Sequence, residues 1–504
     1  MANAPHFRIG TRGSDLARWQ AHYVRDLIES RGGTCDILIL STQGDREQVQ
    51  AFEKLEGKGF FTKEIEQALL DGTVDLAVHS HKDLETRQPL GLTIAAVPPR
   101  AAAQDVLLIR KSASANRPWL PLARGAKVGT SSVRRRDQLL LLRPDLDIQA
   151  LRGNVPTRVE RLRQGLCDAI VLAAAGLDRL ELDLHDLVRL DLDPRHFVPA
   201  PAQGALALQM REDDPKINWI HNLSDSPTAI AIAGERAILR GLEGGCQLPF
   251  GAHVRAGGGL RAFLQTPSGA RRIVAADATS ALQQLQSPGP AQRILVTRTP
   301  KPDVLHRLVT GSGATLIEWS ANVLNSTHEP APKAACNWVW LTSPGAARMA
   351  ADWMRNQPDL QLAAAGPGTA EALPSDLLDQ LAFIGDGDPE TAWLAFVSAR
   401  SAEDAVAIPH STLSKRRWEM GTPLDFALHA WACYSTESCS EAAPDADIVC
   451  FTSPSNVAHW TGPQPRRIVA IGPTTSRALT QKGWTHVQAE HPDAFGVWEA
   501  IQTV

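Results

Sequence analysis

The stretch Gly129–Arg158 reads GTSSVRRRDQLLLLRPDLDIQALRGNVPTR. It sets six arginines (Arg134, Arg135, Arg136, Arg143, Arg152, Arg158) against three acids (Asp137, Asp145, Asp147). Twice within it a short apolar strand runs into a Gly/Ser/Asn turn and then a helix start. Lys127–Gly129 leads into Thr130-Ser131-Ser132 and a helix carrying Arg134 and Arg135. Asp147–Leu151 leads into Arg152-Gly153-Asn154 and a helix carrying Arg158. A helix N-terminus offers unpaired N–H groups and partial positive charge. Arginine adds a planar fork that holds carboxylate or phosphate through two hydrogen bonds. Most basic runs are solvated helix faces. Charge placed at strand ends, in two neighbouring turns, instead describes a site for a ligand with several anionic groups.

Outward from this stretch the same unit recurs. Phe7–Gly10 is a strand leading into Thr11-Arg12-Gly13-Ser14-Asp15 and an amphipathic helix over 16–31, with Ser14 or Asp15 as its N-cap. Residues 74–78 form a buried strand ending in His79-Ser80-His81-Lys82-Asp83, which sets Lys82 and Asp83 where an open α/β sheet carries its chemistry. Alone, each of these would pass as a surface charge. Between them, residues 53–61 (EKLEGKGFF) form a Gly-rich segment with Lys58 and Phe61, expected to be mobile. Strands at 105–110, 126–129, 147–151 and 168–173, with helices between, make a second α/β unit, and Arg179 follows the last strand. Residues 199–210, with Gln203, read as a strand returning to the first unit. Two α/β lobes joined by two crossovers describe the fold of periplasmic-type binding proteins, with the ligand between the lobes. A small α+β unit follows over 227–285. In it Cys246 sits in the glycine loop Glu243–Pro249. A lone cysteine is usually an inert small hydrophobe, but one set in glycines is open to a large electrophile.

At 504 residues, with 21% charged and 43% hydrophobic residues, the chain is expected to form three or four soluble globular domains. Residues 1–290 carry 36 basic and 33 acidic residues, residues 291–504 carry 15 and 22, and ten of the thirteen tryptophans lie in the second part. The break near Ser287-Pro288-Gly289-Pro290 suggests two joined units. The first twenty residues lack the apolar core of a signal peptide, and no apolar run is long enough to span a bilayer. Seven cysteines without a C-x-x-C pair argue against a disulfide framework or zinc site, so no metal is expected and a reducing cytoplasm is.

Residues 292–504 contain an internal echo. Trp338–Thr342 followed by Ser343-Pro344-Gly345 matches Ile448–Thr452 followed by Ser453-Pro454-Ser455, and GPGTAEAL (366–373) matches GPTTSRAL (472–479). Two similar α/β lobes with hydroxyls at strand–helix turns again describe a cleft, here with few arginines and no acid–base relay.

These motifs carry a resemblance. Through TRGSDLARWQAHYV, GKGFFTKE, DLAVHSHKD, VGTSSVRRR, LRGNVPTR, AAAGLDRL, AQGALAL and LEGGCQLPFGA, residues 7–270 resemble the porphobilinogen deaminase (hydroxymethylbilane synthase) family. Through RILVTR, LTSPGAA, GPGTAEAL, FTSPSN and AIGPTTSRAL, residues 292–504 resemble the more diffuse uroporphyrinogen-III synthase family. The chain looks like a fusion of two successive enzymes of tetrapyrrole (heme) biosynthesis.

The resemblance implies deaminase domain 1 over 4–99, completed by 200–220; domain 2 over 104–199; domain 3 over 225–287; a linker at 288–291; and the synthase-like unit over 292–504. It implies condensation of four porphobilinogen units, head to tail with loss of ammonia, on a dipyrromethane cofactor held by Cys246 through a thioether. The oligopyrrole would present about a dozen carboxylates, which rationalises the arginines. Arg12, Arg134, Arg135, Arg152, Arg158 and Arg179 would bind them, assisted by Ser14, Lys82, Thr130, Ser131 and Ser132. Asp83 would be the catalytic carboxylate, stabilising a cationic azafulvene-like state and managing protons. Lys58 and Phe61 would belong to a lid and Gln203 to the hinge. The second unit would close hydroxymethylbilane to uroporphyrinogen III with inversion of the last ring, using Ser343, Thr369, Tyr434, Ser453 and Thr474. The expected partners are these small molecules alone, with neither nucleic acid nor membrane, and the expected state is a monomer. His81, Ala202, 99–104 and 396–402 depart from the family patterns. The rival readings are an inactive C-terminal scaffold, a non-enzymatic two-lobed anion-binding protein, and a basic nucleic-acid module.

Overall fold

A computed structural model describes residues 4–40, 62–243, 248–255, 257–287, 291–414 and 424–504. Its first ten strands form two sheets of like design. They are β1 His6–Thr11, β2 Thr34–Ile39, β3 Leu76–Ser80, β4 Leu92–Ala96, β5 Asp105–Arg110, β6 Lys127–Gly129, β7 Asp147–Gln149, β8 Ala169–Ala173, β9 Leu187–Leu192 and β10 Leu206–Arg211. The sheet orders are β2-β1-β3-β10-β4 and β7-β6-β8-β5-β9. The chain leaves the first lobe after β4, and β5 enters the second sheet antiparallel to β8 and β9. It returns through β10, which enters the first sheet antiparallel to β3 and β4. Each lobe therefore holds one reversed strand supplied by a crossover, the two-lobed fold expected from the sequence. The expected return strand over 199–210 is shorter and later, Leu206–Arg211, because a turn intervenes. There Gly204 has φ +87°, and a Cβ on it would lie 2.5 Å from Ala101 O, so the two crossovers touch where only glycine fits.

The third unit packs β11 Phe250–Val254, β12 Leu260–Thr266 and β13 Gly269–Ala275, an antiparallel sheet, against the helices Ser226–Gly241 and Ala278–Gln286. The rest of the chain builds two further sheets. Their strands are β14 Arg293–Val296, β15 Thr315–Glu318, β16 Asn322–Ser326, β17 Trp338–Leu341, β18 Gln361–Ala364, β19 Leu381–Ile384, β20 Ala405–Ser411, β21 Ala427–Ser438, β22 Ile448–Phe451, β23 Ile468–Ala470 and β24 Val487–Gln488. The orders are β15-β14-β22-β23-β24 and β16-β21-β20-β17-β18-β19. The sequence echo falls on β17/β22 and β18/β23, which hold equivalent places in the two sheets. Their neighbours on one side, β14–β15 and β20–β21, come before the echo in one lobe and after it in the other. The lobes are thus permuted relative to each other, which is why the echo is short.

The two halves are more than tethered. One apolar core runs from Leu107 and Val128 of the second lobe, through Phe263 of the third unit, to Ile294, Phe495 and Trp498. Arg261 meets Glu499 at 2.7 Å, Arg195 meets Asp493 at 2.8 Å, and Trp498 Nε1 donates to Arg272 O at 2.8 Å. The Arg272 side chain is fully buried, 4.4 Å from the Phe495 ring centroid, and burial lowers its pKa to about 10. No helix among the described residues is long and apolar enough to cross a membrane.

Beneath the carboxyl end of β3 lie two buried histidines. His79 Nε2 pairs with Gln209 Oε1 at 3.0 Å. His81 is buried and its Nδ1 has no hydrogen-bond partner among the described residues. Burial, joined for His81 by Arg236 and Arg100 close by, lowers their pKa values to about 4 and about 3. Below the ordinary value near 6.5 the unfolded chain therefore takes up protons that the fold refuses. Each imidazole should cost ~1.4 kcal/mol of stability per pH unit as pH falls from about 6.5 towards its depressed value. His81→Leu should flatten denaturant-measured stability against pH between 6.5 and 4 by the share of one imidazole. Equal slopes for variant and parent would show that His81 is not held neutral.

Candidate active site

Strand ends from both lobes converge on one cavity of about 970 Å³. In the first lobe, β1 ends in the turn carrying Arg12 and Ser14, and Ser14 Oγ caps the following helix at Ala17 N, 3.4 Å away. Past β3 a single tight turn, His81–Asp83, sets Lys82 and Asp83 at the cavity wall. In the second lobe, Ser131 Oγ donates to Leu151 O at 2.8 Å, locking the turn after β6 to the one after β7. Gly153 sits at φ +108° in that second turn, and Asn154 Oδ1 accepts from Thr157 N at 2.9 Å to start the helix Val155–Arg163. Past β8, Arg179 leans over the Trp19 ring of the first lobe, 5.5 Å from its centroid, and donates to Gly204 O at 2.8 Å.

Among the described residues the lining holds seven cationic side chains (Arg12, Lys82, Arg135, Arg152, Arg158, Arg161, Arg179) and two carboxylates, Asp15 and Asp83. Burial, with Arg135 and Arg161 nearby, lowers the Arg158 pKa to about 10, so it stays charged at neutral pH; its Nε donates to Gly153 O at 2.7 Å. Burial also pushes the pKa values of Lys82 and Arg179 down, and Arg179 Nε is buried without a partner among the described residues. Asp83 is exposed to the cavity and makes no hydrogen bond among the described residues. Such a cavity suits a ligand with many carboxylates.

Not every candidate reaches it. Arg134 is turned inward, with Nη1 held by Asp105 Oδ2 at 2.8 Å and Val198 O at 2.7 Å, and it does not line the cavity. Neither do Thr130, which accepts from Ser132 N at 3.2 Å, nor Ser132, which caps the helix Val133–Leu142. Gln203 is buried behind the wall and links the lobes, reaching Lys82 Nζ at 3.5 Å and donating to Asp105 Oδ1 at 3.1 Å. Lys58, Phe61 and Cys246 lie outside the described residues. Burial pushes the thiols of Cys35 and Cys450 up to about 12 and Cys433 to about 11, so none of these is a reactive thiol at neutral pH. Sequence reading missed Arg161 and, above all, Asp105. As first residue of the reversed strand β5, Asp105 lies at the same sheet edge as the ends of β6–β8, fully buried against Arg134 and Arg135 (2.7 Å). The two guanidinium groups hold its carboxyl far below the usual range against the opposing effect of burial.

In the second half, Ser343 caps the helix Pro344–Met349, and its Oγ lies 3.1 Å from Tyr434 OH. Ser453 caps Pro454–Ala458 in the same manner. Thr369 is buried in the short helix Pro367–Ala370, and Thr474 is exposed in the first turn of Pro473–Gln481. Ser343 and Tyr434 meet; no hydrogen bond joins them to the other three.

Replacing Asp105 by asparagine keeps the shape and removes the charge. Two guanidinium groups would then be buried without a counter-ion, and unfolding free energy should fall by about 3–5 kcal/mol. A denaturation midpoint equal to the parent's would show that Asp105 is not the counter-ion of that pair.

Family comparison gives three matches. "Porphobilinogen deaminase, dipyromethane cofactor binding domain" covers residues 7–219, "Porphobilinogen deaminase, C-terminal domain" covers 229–284, and "Uroporphyrinogen-III synthase HemD" covers 313–499. A porphobilinogen deaminase of Nitratidesulfovibrio vulgaris (strain DP4) is 48% identical over 254 residues, which is 49% of this chain and 78% of that protein. One of Syntrophotalea carbinolica is 47% identical over 249 residues, 49% of this chain and 77% of that protein. A uroporphyrinogen-III synthetase structure from Helicobacter pylori aligns with 42% of this chain and 99% of its own at 14% identity, TM-score 0.31. The chain belongs to the porphobilinogen deaminase family and carries a uroporphyrinogen-III synthase region fused behind it.

Proposed function

We propose that the chain performs two consecutive steps of heme biosynthesis: four porphobilinogen molecules become hydroxymethylbilane, which the second half closes to uroporphyrinogen III. The observation that carries the first step is the cavity with seven cations and two carboxylates between two lobes. Each condensation breaks the aminomethyl C–N bond of one porphobilinogen and forms a C–C bond to the neighbouring ring. The displaced ring hydrogen leaves as a proton with the ammonia, and release of the finished tetrapyrrole takes up one water, whose hydroxyl becomes the product's hydroxymethyl group. The dipyrromethane cofactor, held on Cys246, supplies the pyrrole end from which the chain grows. The donor set fits it, since an Arg179 Nε that is buried without a partner among the described residues and a cation-rich wall suit acetate and propionate groups. Arg12, Arg135, Arg152, Arg158, Arg161 and Arg179 grip those carboxylates and fix the register of the growing oligomer. Asp83, which makes no hydrogen bond among the described residues, accepts from the pyrrole N–H of the incoming substrate, offsets positive charge developing on its ring, and takes the displaced proton before it passes to the ammonia. Arg134 acts from behind, by fixing Asp105 and so Arg135.

The domain division given above follows the same assignment. Lys58 and Phe61, in the loop 53–61, would belong to a lid, and the chain would work as a cytoplasmic monomer. In the second half, Ser343 with Tyr434 and the matching turn at Ser453 offer neutral donors from both lobes. Ring closure releases water, and holding one conformer of the linear tetrapyrrole suffices to favour the inverted product.

Purified protein given porphobilinogen should yield mainly uroporphyrinogen III, and its intact mass should exceed the chain's by two pyrrole units, lost in Cys246→Ser. Isomer I alone would mean that the second half is a scaffold. An unmodified thiol in active protein would remove Cys246 from the mechanism.

A further inference from the structure

The deaminase half touches the synthase lobes in two different ways. Against the lobe built on β14, β15 and β22–β24 it makes the broad contact described above, with Asp493, Phe495, Trp498 and Glu499. Against the lobe built on β16–β21 it offers one short segment. Asn116 Nδ2 donates to Ala382 O at 2.8 Å, Arg117 pairs with Asp379, and Trp119 Nε1 donates to Glu371. Trp119 is at φ +68°, a region that a tryptophan seldom occupies. Its ring is also packed edge-on against Phe495 of the other lobe, centroids 5.4 Å apart. Glu371 thereby becomes a three-way junction: Oε1 takes Trp119 from the deaminase half, and Oε2 takes Lys301, at 3.1 Å, from the opposite synthase lobe. It is two residues beyond Thr369, on the turn that follows β18. The contact is a point and not a seal, since an open gap of about 510 Å³ remains between Ser114–Asn116 and the stretches 358–361 and 378–382.

We propose that Asn116–Trp119 of the deaminase half is a strut that sets the separation of the two synthase lobes. Two lobes joined by crossovers hinge readily. With one lobe anchored broadly on the deaminase half, a rigid arm from that half to the other lobe removes the hinge freedom. Lys301–Glu371 then closes the bracket directly between the lobes. The deaminase fold is in this sense a structural part of the synthase. The catalytic consequence rests on the synthase reading above: selection of the inverted ring depends on how closely the linear tetrapyrrole is held, so a loosened bracket should leak the other isomer.

Spin labels introduced as unnatural side chains at Thr480 and Glu403, exposed positions on opposite lobes, report the lobe separation in the full chain by pulsed dipolar spectroscopy. Trp119→Ala and Glu371→Ala cut the junction from opposite sides. Each should broaden the distance distribution and raise the fraction of isomer I on the order of tenfold, and the double variant should be no worse than either. Ammonia release should stay at the parental rate, which certifies the deaminase fold. Distributions as narrow as the parent's, with an unchanged isomer ratio, would overturn the strut. A parent making isomer I alone would end the synthase reading, while the distance distributions would still decide the strut.

Discussion

Like charges crowd the cleft between the deaminase lobes, and the rest of the structure answers to that repulsion. Two cations about 6 Å apart in a partly dry site repel by about 3 kcal/mol, and seven line this wall against two carboxylates. The protein neutralises one corner itself, with Asp105 buried between Arg134 and Arg135. An oligopyrrole with two carboxylates per ring would add counter-charge along the rest of the wall, and the arginines spread over both lobes would let successive rings find partners as the chain lengthens.

The fold places these groups by reversing one strand in each lobe. Reversal brings the start of β5 to the edge where β6–β8 end, which is how a carboxylate comes to lie under two arginines from a different element. The same crossovers bring Gln203 between Lys82 of one lobe and Asp105 of the other. A change in lobe angle therefore strains a continuous polar chain from Asp105 to the residue beside Asp83.

Much of this was legible in residues 129–158, because turn chemistry is local: Ser131, Gly153 and Asn154 announce strand–turn–helix units and so place Arg135, Arg152 and Arg158. Direction was not legible. Arg134 and Arg135 are adjacent, identical in type and both paired with Asp105 across the sheet, yet one turns inward to Val198 O and one borders the cavity. Nor could periodicity show that β5 is reversed. In the second half the echo revealed two lobes but not that one is permuted, since the strands flanking the echo share no motif. The joint between the halves was hidden for a related reason. Arg195, Arg261 and Arg272 are scattered, and each taken singly reads as a surface residue, although Arg272 is fully buried.

The most direct measurement concerns the electrostatic claim itself. Cys246→Ser protein, lacking the covalent cofactor, should melt below the parent. A benzene polycarboxylate should restore much of the difference at concentrations where acetate of equal total charge does nothing, and added salt should weaken the rescue. Equal melting temperatures with and without the polycarboxylate, or equal rescue by acetate, would contradict a cleft organised to hold a many-acid ligand.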